Sequence, residues 1–539
     1  ADGEQTIDAR VSASSTALAG GLVAGAAFAG SGVYAENMIA SDVIAAIEGS
    51  DGFNEQLKAA GGVSVTANDS SSITAVAEAA SMAGAFGGLG GAALSVGVSL
   101  SRNLIDSDVI ATIANVGSES SDGAGTTNVD GNLSILATNL SRIDAETSAA
   151  SFAAGFGGLG GLAVSGAGAE ARNTILGSTR ALVENSVLDV AGTMDVDARS
   201  EGTIDALITS ESDAIAGGAL AGAGAAVGVA LARNFIGVKQ NDDHTDPANY
   251  HYTLENDPAS ITKNDRVYID DGVRQGDIYE YVNDIDLVRE PNKSILASTD
   301  FGNPDLWKLV NREGADSDVL AAVDNSQVTA TGAVAIEAQS RQAINARVTS
   351  STSAFSAGAL GAASLSGSGS GATNAINVDT IARVDGTAAA GTADIANDAL
   401  TADTLTISAK DVSNISSVVA ASAVSEAFTG GLGAAISIGV SVAENKIEGD
   451  TEALIRDTAI TTTSGDVDLT ATRESTPGFT DSGFVDGYNG SVTETSTASE
   501  LAAAALNRAA NTDLQSSLAP LEEFRELEAN GTLATFYET

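Results

Sequence analysis

The side chains able to bind or to catalyse recur at fixed places in this chain, and the recurrence narrows what chemistry they can do. Asn37, Asn103, Asn173, Asn234, Asn374 and Asn445 each open an Asn-x-Ile triplet. An amide donates and accepts hydrogen bonds but is a poor acid, base or nucleophile. Repeated in one role, these residues point to an internal amide array that caps backbone at strand ends. Five residues further on stands an acid: Asp42, Asp108, Asp379 and Asp450, with Asp318 in register after an insertion and Ser178 as the exception. Carboxylates there suit an Asx-type turn entering the next strand, which is the favoured reading. They also suit a Ca2+ site built between adjacent units from these side chains and loop carbonyls. Neither an EF-hand loop nor a glycine/aspartate nonapeptide repeat accompanies them.

A second set of candidates sits in the insertion. Tyr279, Tyr281 and Trp307 could stack on sugar rings, or could form the core of a domain with few other large side chains. His244 and His251 lie near Asp242, Asp243 and Asp246, where a metal site competes with a solvated loop as the better-favoured reading. For catalysis the chain offers no unique cluster of a positioned base or paired carboxylates, so no catalytic residue is assigned and the chain reads as a non-enzyme.

The elements that must position these residues follow from spacing. An Ile-x-Ala (once Ile-x-Ser) precedes each asparagine, in the pairs Ile7/Asn37, Ile73/Asn103, Ile143/Asn173, Ile204/Asn234, Ile344/Asn374 and Ile415/Asn445, always 30 residues apart. Apart from the insertion in the fourth unit, length varies only after the following Ala-x-Ile/Val, which marks an outward loop. Self-similarity this rigid implies stacking of like on like, the signature of a solenoid. Between the markers, small residues alternate: Ala163, Ser165, Ala167, Ala169, Ala171 and Asn173 share one face of a strand that follows Gly157-Gly-Leu-Gly-Gly161. Period two means strands. Each unit therefore reads as two long strands around a glycine turn, then short strands.

The expected fold is all-β, a parallel β-helix-like solenoid of six units. Residues 1–237 hold units one to four (first part). Residues 238–315 form an inserted small β-rich domain with strands at Arg266–Ile269 and Asp277–Val282, and 316–475 complete the array. Residues 476–539 read as a linker and two short helices, the first opened by the capping box Thr497-Ala-Ser-Glu500. With about three rungs per unit at roughly 4.8 Å, the array would span about 80–90 Å.

Composition agrees. Aromatics are 4% against 59 glycines, so two sheets must approach closely over Ala, Ser and Gly rather than enclose a deep core. A formal charge of −46 with 25 Lys+Arg argues against nucleic acid and anionic membrane surfaces. The uncharged stretch Ala79 to Leu100 raises a membrane reading, but its glycine density and the lack of Lys/Arg clusters argue against insertion. The absence of cysteine is compatible with export without disulfides. Ala1 takes the Ala place of an apolar-x-Ala pair whose first half is missing, so a piece cut from a longer array is expected.

Blocks such as Ala171-Arg-Asn-Thr-Ile175, Ala181-Leu-Val-Glu-Asn-Ser186, Val196-Asp-Ala198 and Ile204-Asp-Ala206 resemble repeats of giant bacterial surface proteins of the leukotoxin-like and filamentous-haemagglutinin-like adhesin type. The resemblance covers residues 1–475. It implies an extracellular or cell-surface structural protein of bacteria, a stalk, adhesin or self-assembling fibre whose partners are copies of itself or adjacent repeats. In the insert, Asp265-Arg-Val, Gly276-Asp-Ile-Tyr-Glu-Tyr281 and Asp305-Leu-Trp-Lys308 are similar to small carbohydrate-binding modules of the chitin-binding kind. That similarity implies the alternative function, a glycan-binding adhesin acting through 238–315.

Overall fold

The computed structural model describes residues 1–49, 57–117, 127–238, 250–254, 258–268, 278–283, 285–289, 295–299, 306–309, 317–386 and 398–474. The fold is all-β, and its sheets are mostly parallel. The two helices expected after residue 496 lie outside the described residues, as do His244, Asp242, Asp243 and Asp246.

Each unit opens with an outgoing strand, such as Val63–Gly87, Leu133–Gly157 or Met194–Gly218, each 25 residues long. A tight turn follows, Gly88-Leu89 in the second unit, and then a return strand such as Gly90–Ala114. A short strand closes the unit, for example Val187–Val190. Outgoing strands pair in parallel only with outgoing strands, from Asp2–Gly21 through to Val467–Glu474, giving a seven-stranded sheet. The registers align the markers read from the sequence: Ile7 with Ile73, Ile73 with Ile143, Ile143 with Ile204, Ile204 with Ile344, and Ile344 with Ile415. Return strands form a second sheet and the short strands a third.

One expectation is overturned here. Because residue 73 pairs directly with residues 7 and 143, a unit adds one layer to each sheet and not three. Six layers at about 4.8 Å give a thickness near 30 Å, while a 25-residue strand runs about 80 Å. The long dimension thus lies along the strands. Among the short strands is Lys58–Ala59.

Two kinds of interior result. Where all three sheets meet there is room for large aliphatics, and Ile73, Ile143, Ile204, Ile105, Leu133 and Ile135 are fully buried. Burying each stabilises by about 1.5–3 kcal/mol. Beyond them the outgoing and return strands face only each other and approach closely over Ala83, Ala85, Ala153, Ala163, Ala214 and Ala226. Hydroxyls bridge this thin layer: Ser81 and Ser95 are 2.7 Å apart, and Ser101 and Thr147 2.6 Å. Small residues recur here because nothing larger fits.

Within the insertion, strands Tyr252–Thr253, Arg266–Tyr268, Ile278–Tyr281 and Trp307–Leu309 make a sheet of their own, and Ile295–Ser298 forms a single helical turn. The pair expected at Arg266–Ile269 and Asp277–Val282 is antiparallel, with Arg266 opposite Glu280.

The thin layer makes a testable distinction between glycines. A Cβ at Gly157 would fall inside the van der Waals shells of the Gly160 carbonyl and the Gly90 Cα, both backbone, whereas one at Gly20 meets nothing within 4 Å. Gly157→Ala is expected to destabilise the chain by about 2 kcal/mol or more, and Gly20→Ala to change stability by less than about 0.5 kcal/mol. Chemical denaturation of both variants measures the difference, and equal effects would contradict the close approach.

Candidate functional site

The asparagines come together as a single buried column. The return strands place Asn37 beside Asn103, then Asn173, Asn234, Asn374 and Asn445 in register. Asn37 Nδ2 donates to Asn103 Oδ1 at 2.8 Å, and Asn103 donates to Asn173 at the same distance. The pattern continues from Asn173 to Asn234, Asn234 to Asn374 and Asn374 to Asn445, each at 2.8 Å. Asn173, Asn234 and Asn374 are fully buried, while Asn445 at the end of the column is exposed. Each inner amide both gives and receives one side-chain hydrogen bond, so the column is polar yet satisfied.

The aspartates also form one column, Asp42 beside Asp108 and Asp318 beside Asp379. Three of them have protein partners. Asp108 Oδ1 accepts the Ser178 amide at 2.7 Å, and Asp379 Oδ1 accepts the Asp450 amide at 2.8 Å. Asp318 takes the Arg180 guanidinium through both oxygens, at 2.9–3.1 Å. These contacts are two backbone caps and one ion pair. Among the described residues, no group of three His, Cys, Asp or Glu side chains could hold a metal ion.

In the insert, Tyr281, Trp307 and Tyr279 are only 1%, 3% and 7% exposed. Tyr281 and Trp307 meet edge to face with centroids 5.2 Å apart, and Trp307 Nε1 donates to Thr299 Oγ1 at 2.9 Å. The three aromatics are therefore the core of this small sheet together with Ile261 and Val267, and they present no stacking face to a sugar. His251 accepts the Arg266 amide at 3.0 Å through Nδ1 and lies 3.8 Å from Asp265.

Two features escape a reading of the sequence alone. Asn115, Asn185 and Asn325 hold φ of 58°, 48° and 45°, the left-handed region that asparagine tolerates best among residues with a Cβ. Their backbone amides donate to the next layer, Asn115 to the Glu184 carbonyl and Asn185 to the Asp324 carbonyl. The signal was an Asn two residues after the Ala-x-Ile/Val in three of the six units, where the others have Gly49, Gly386 and Asp457. The second feature is a set of buried carboxylates. Asp324 is gripped by Arg383, Asp385 by Arg456, and Asp411 by Arg473 at 3.0 Å. Burial pushes Asp324, Asp411, Asp197, Asp205 and Glu184 above the usual carboxylate range, and for Asp324 the Arg383 hydrogen bond offsets part of that.

Interrupting the amide column should be costly only in its interior. Asn173→Ala strands a buried donor on Asn103 and a buried acceptor on Asn234, for an expected loss of about 2–5 kcal/mol. Asn445→Ala, where water can take over, should cost about 1 kcal/mol or less. Denaturant midpoints of the two variants decide the matter, and equal losses would mean the column carries no register.

The raised carboxylates also fix the sign of a pH effect. A group whose folded pKa lies above its unfolded value contributes stability that is complete below the unfolded pKa, about 4, and is lost as pH rises through the folded pKa. Thermal stability at constant ionic strength is therefore expected to rise as pH falls toward about 4 through these raised titrations, and Glu184→Gln should flatten the slope. Calorimetry across that range showing a steady fall in Tm on acidification would contradict it.

Compared with protein-family models, with curated proteins and with solved structures, the chain matches none, so its function has to be read from these columns and faces.

Proposed function

We propose that the chain is a structural protein of the bacterial exterior: a stiff β-solenoid segment of a surface adhesin, stalk or self-assembling fibre. Its partners are adjacent repeats or copies of itself. One observation carries the reading, the in-register parallel stacking of all six units through the buried asparagine column. Such a body resists bending, because tilting one layer against the next breaks backbone and amide hydrogen bonds together. It also has no need of disulfides, which suits a chain without cysteine. The charge of −46 keeps so regular a sheet protein dispersed. Repetition favours this role over catalysis, since a residue that recurs in every layer serves the layer, whereas a reaction centre is normally unique.

The aspartate column bears on how the segment is held together. Arg180 and backbone amides already occupy the carboxylates of Asp318, Asp108 and Asp379, so stiffness is expected without added calcium. Negative-stain images and small-angle scattering in calcium and in chelator test the reading. A flat particle about 80 Å long and about 30 Å thick in both conditions is the expected result. An isotropic globule, or a helical circular-dichroism spectrum, would remove the basis for a structural role.

A further inference from the structure

We propose that the outward face of the return sheet is a homodimer interface, on which a second copy of this chain packs the same face about a two-fold axis. This deepens the structural reading above and rests on it, because it names the partner of one face of that same body.

The face is apolar over an unusual extent. On the return strands beginning at Ala24, Gly90, Gly160, Ala221, Gly361 and Leu432, every second residue points away from the sheet interior. The first five outward rows contain only Gly, Ala, Val, Leu, Ile and Phe; one of them runs Phe28, Leu94, Val164, Ala225, Leu365, Ile436. Exposure is high even on strands flanked on both sides: Val96 41%, Leu162 47%, Val227 51%, Val229 41% and Leu365 45%. The outer face of the outgoing sheet differs in its middle strands, where Met82 and Phe152 are buried at 5% and 3%, although Leu18, Val424 and Phe428 near its ends are exposed. Soluble monomers rarely expose so large an apolar surface without a use for it.

The relief of the face says what covers it. In two adjacent rows, strands alternate between glycine pairs and β-branched pairs. Gly166 and Gly168 lie between Val96 and Val98 on one side and Val227 and Val229 on the other. The alternation runs through all six strands, from Gly30 and Gly32 at one edge to Ile438 and Val440 at the other. A two-fold axis through the middle of six strands sets the first against the sixth, the second against the fifth and the third against the fourth. In each pairing a Val or Ile ridge meets a glycine groove. A face that fits itself in this way is what an isologous contact requires.

Among the described residues these glycines have no internal explanation. A Cβ at Gly32, Gly166, Gly168 or Gly367 would meet nothing within 4 Å, and at Gly30 and Gly369 only a carbonyl near 4 Å. Glycine weakens a strand, and it is placed where another surface must come close. A lipid surface would gain nothing from such grooves, whereas a second sheet would fill them.

Size and rim agree. Five alternate rows on six strands cover about 25 Å by about 27 Å, close to 700 Å². Two such faces remove about 1,400 Å², within the range of about 1,200–2,000 Å² typical of stable complexes. Charge begins after the fifth row, with Glu170 in the sixth and Glu36, Arg102, Arg172, Arg233 and Glu444 in the seventh, where Arg233 lies 3.6 Å from Glu170. An apolar centre with a charged margin is the usual anatomy of an interface.

The test is the mass of the full chain in solution, by sedimentation and light scattering, for the wild type and two variants. The wild type is expected at twice 53.4 kDa at micromolar concentration. Gly166→Val with Gly168→Val adds apolar bulk where the monomer has space. It should weaken dimerisation at least tenfold while leaving circular dichroism unchanged, and adding Val227→Gly with Val229→Gly should restore part of the loss by exchanging ridge and groove. A monomeric wild type overturns the proposal, as does a glycine-to-valine variant that dimerises as well or better. Wild-type monomer that sediments with phosphatidylglycerol vesicles would overturn it in favour of a lipid surface. A flat monomeric particle would leave the structural role standing, while a globular particle would sink that role whatever its mass.

Discussion

A buried amide cannot be left without a partner, and in this protein that constraint sets the register of everything else. Sliding one return strand by a single residue would turn its asparagine outward, expose the isoleucine two places on, and bury the opposite face instead. In a parallel stack of near-identical strands, backbone hydrogen bonds alone do not forbid such a slip, because they form equally well in the shifted alignment. The column from Asn37 to Asn445 does forbid it, since each member needs the one before and the one after at 2.8 Å. This is a use of buried polarity for specificity more than for stability.

The fixed interval between marker isoleucine and asparagine follows from the same constraint. Ile73 and Asn103 belong to one strand–turn–strand element, Val63–Gly87 and Gly90–Ala114, whose turn is only Gly88-Leu89. A residue added anywhere between them would push the asparagine out of its layer. Past the return strand the amide column is no longer at stake, so insertions are tolerated there, up to the separate small sheet between 238 and 315, after which Asp318 rejoins its layer. Stiffness in one half of each layer and tolerance in the other are two consequences of where the amide sits.

Much of this was legible because stacking writes itself into spacing. The marker columns, the glycine turns, the small-residue face and the antiparallel pair at Arg266–Tyr268 and Ile278–Tyr281 all follow from interval and period two. The number of layers per unit did not, for a physical reason. Alternation within 25-residue strands looks the same as alternation within three short ones when Ala, Ser and Gly fill both, and ordinary strands run only about 5–6 residues. Ionic partners were also hidden. Arg180 and Asp318, or Arg456 and Asp385, lie far apart in the chain and meet only because their layers are adjacent. The aromatics of the insert could be read as platform or core with equal reason, and burial of Tyr281 and Trp307 decides for core.

Regular repetition has a further consequence for where function can reside. Inside the stack each residue answers to its counterpart above and below: Ile73 to Ile143, Ser81 to Ser95 across the thin layer, Asn103 to Asn173. Once those obligations are accounted for, what remains unexplained among the described residues points to a surface beyond them. The open glycines of the return sheet are of this kind, for they alternate with valine where uniform valine would pack equally well against the chain itself. A pattern that costs strand stability and satisfies no internal contact persists only if a partner uses it. The face that carries it is the one that sequence periodicity alone would have dismissed as the dull side of a repeat.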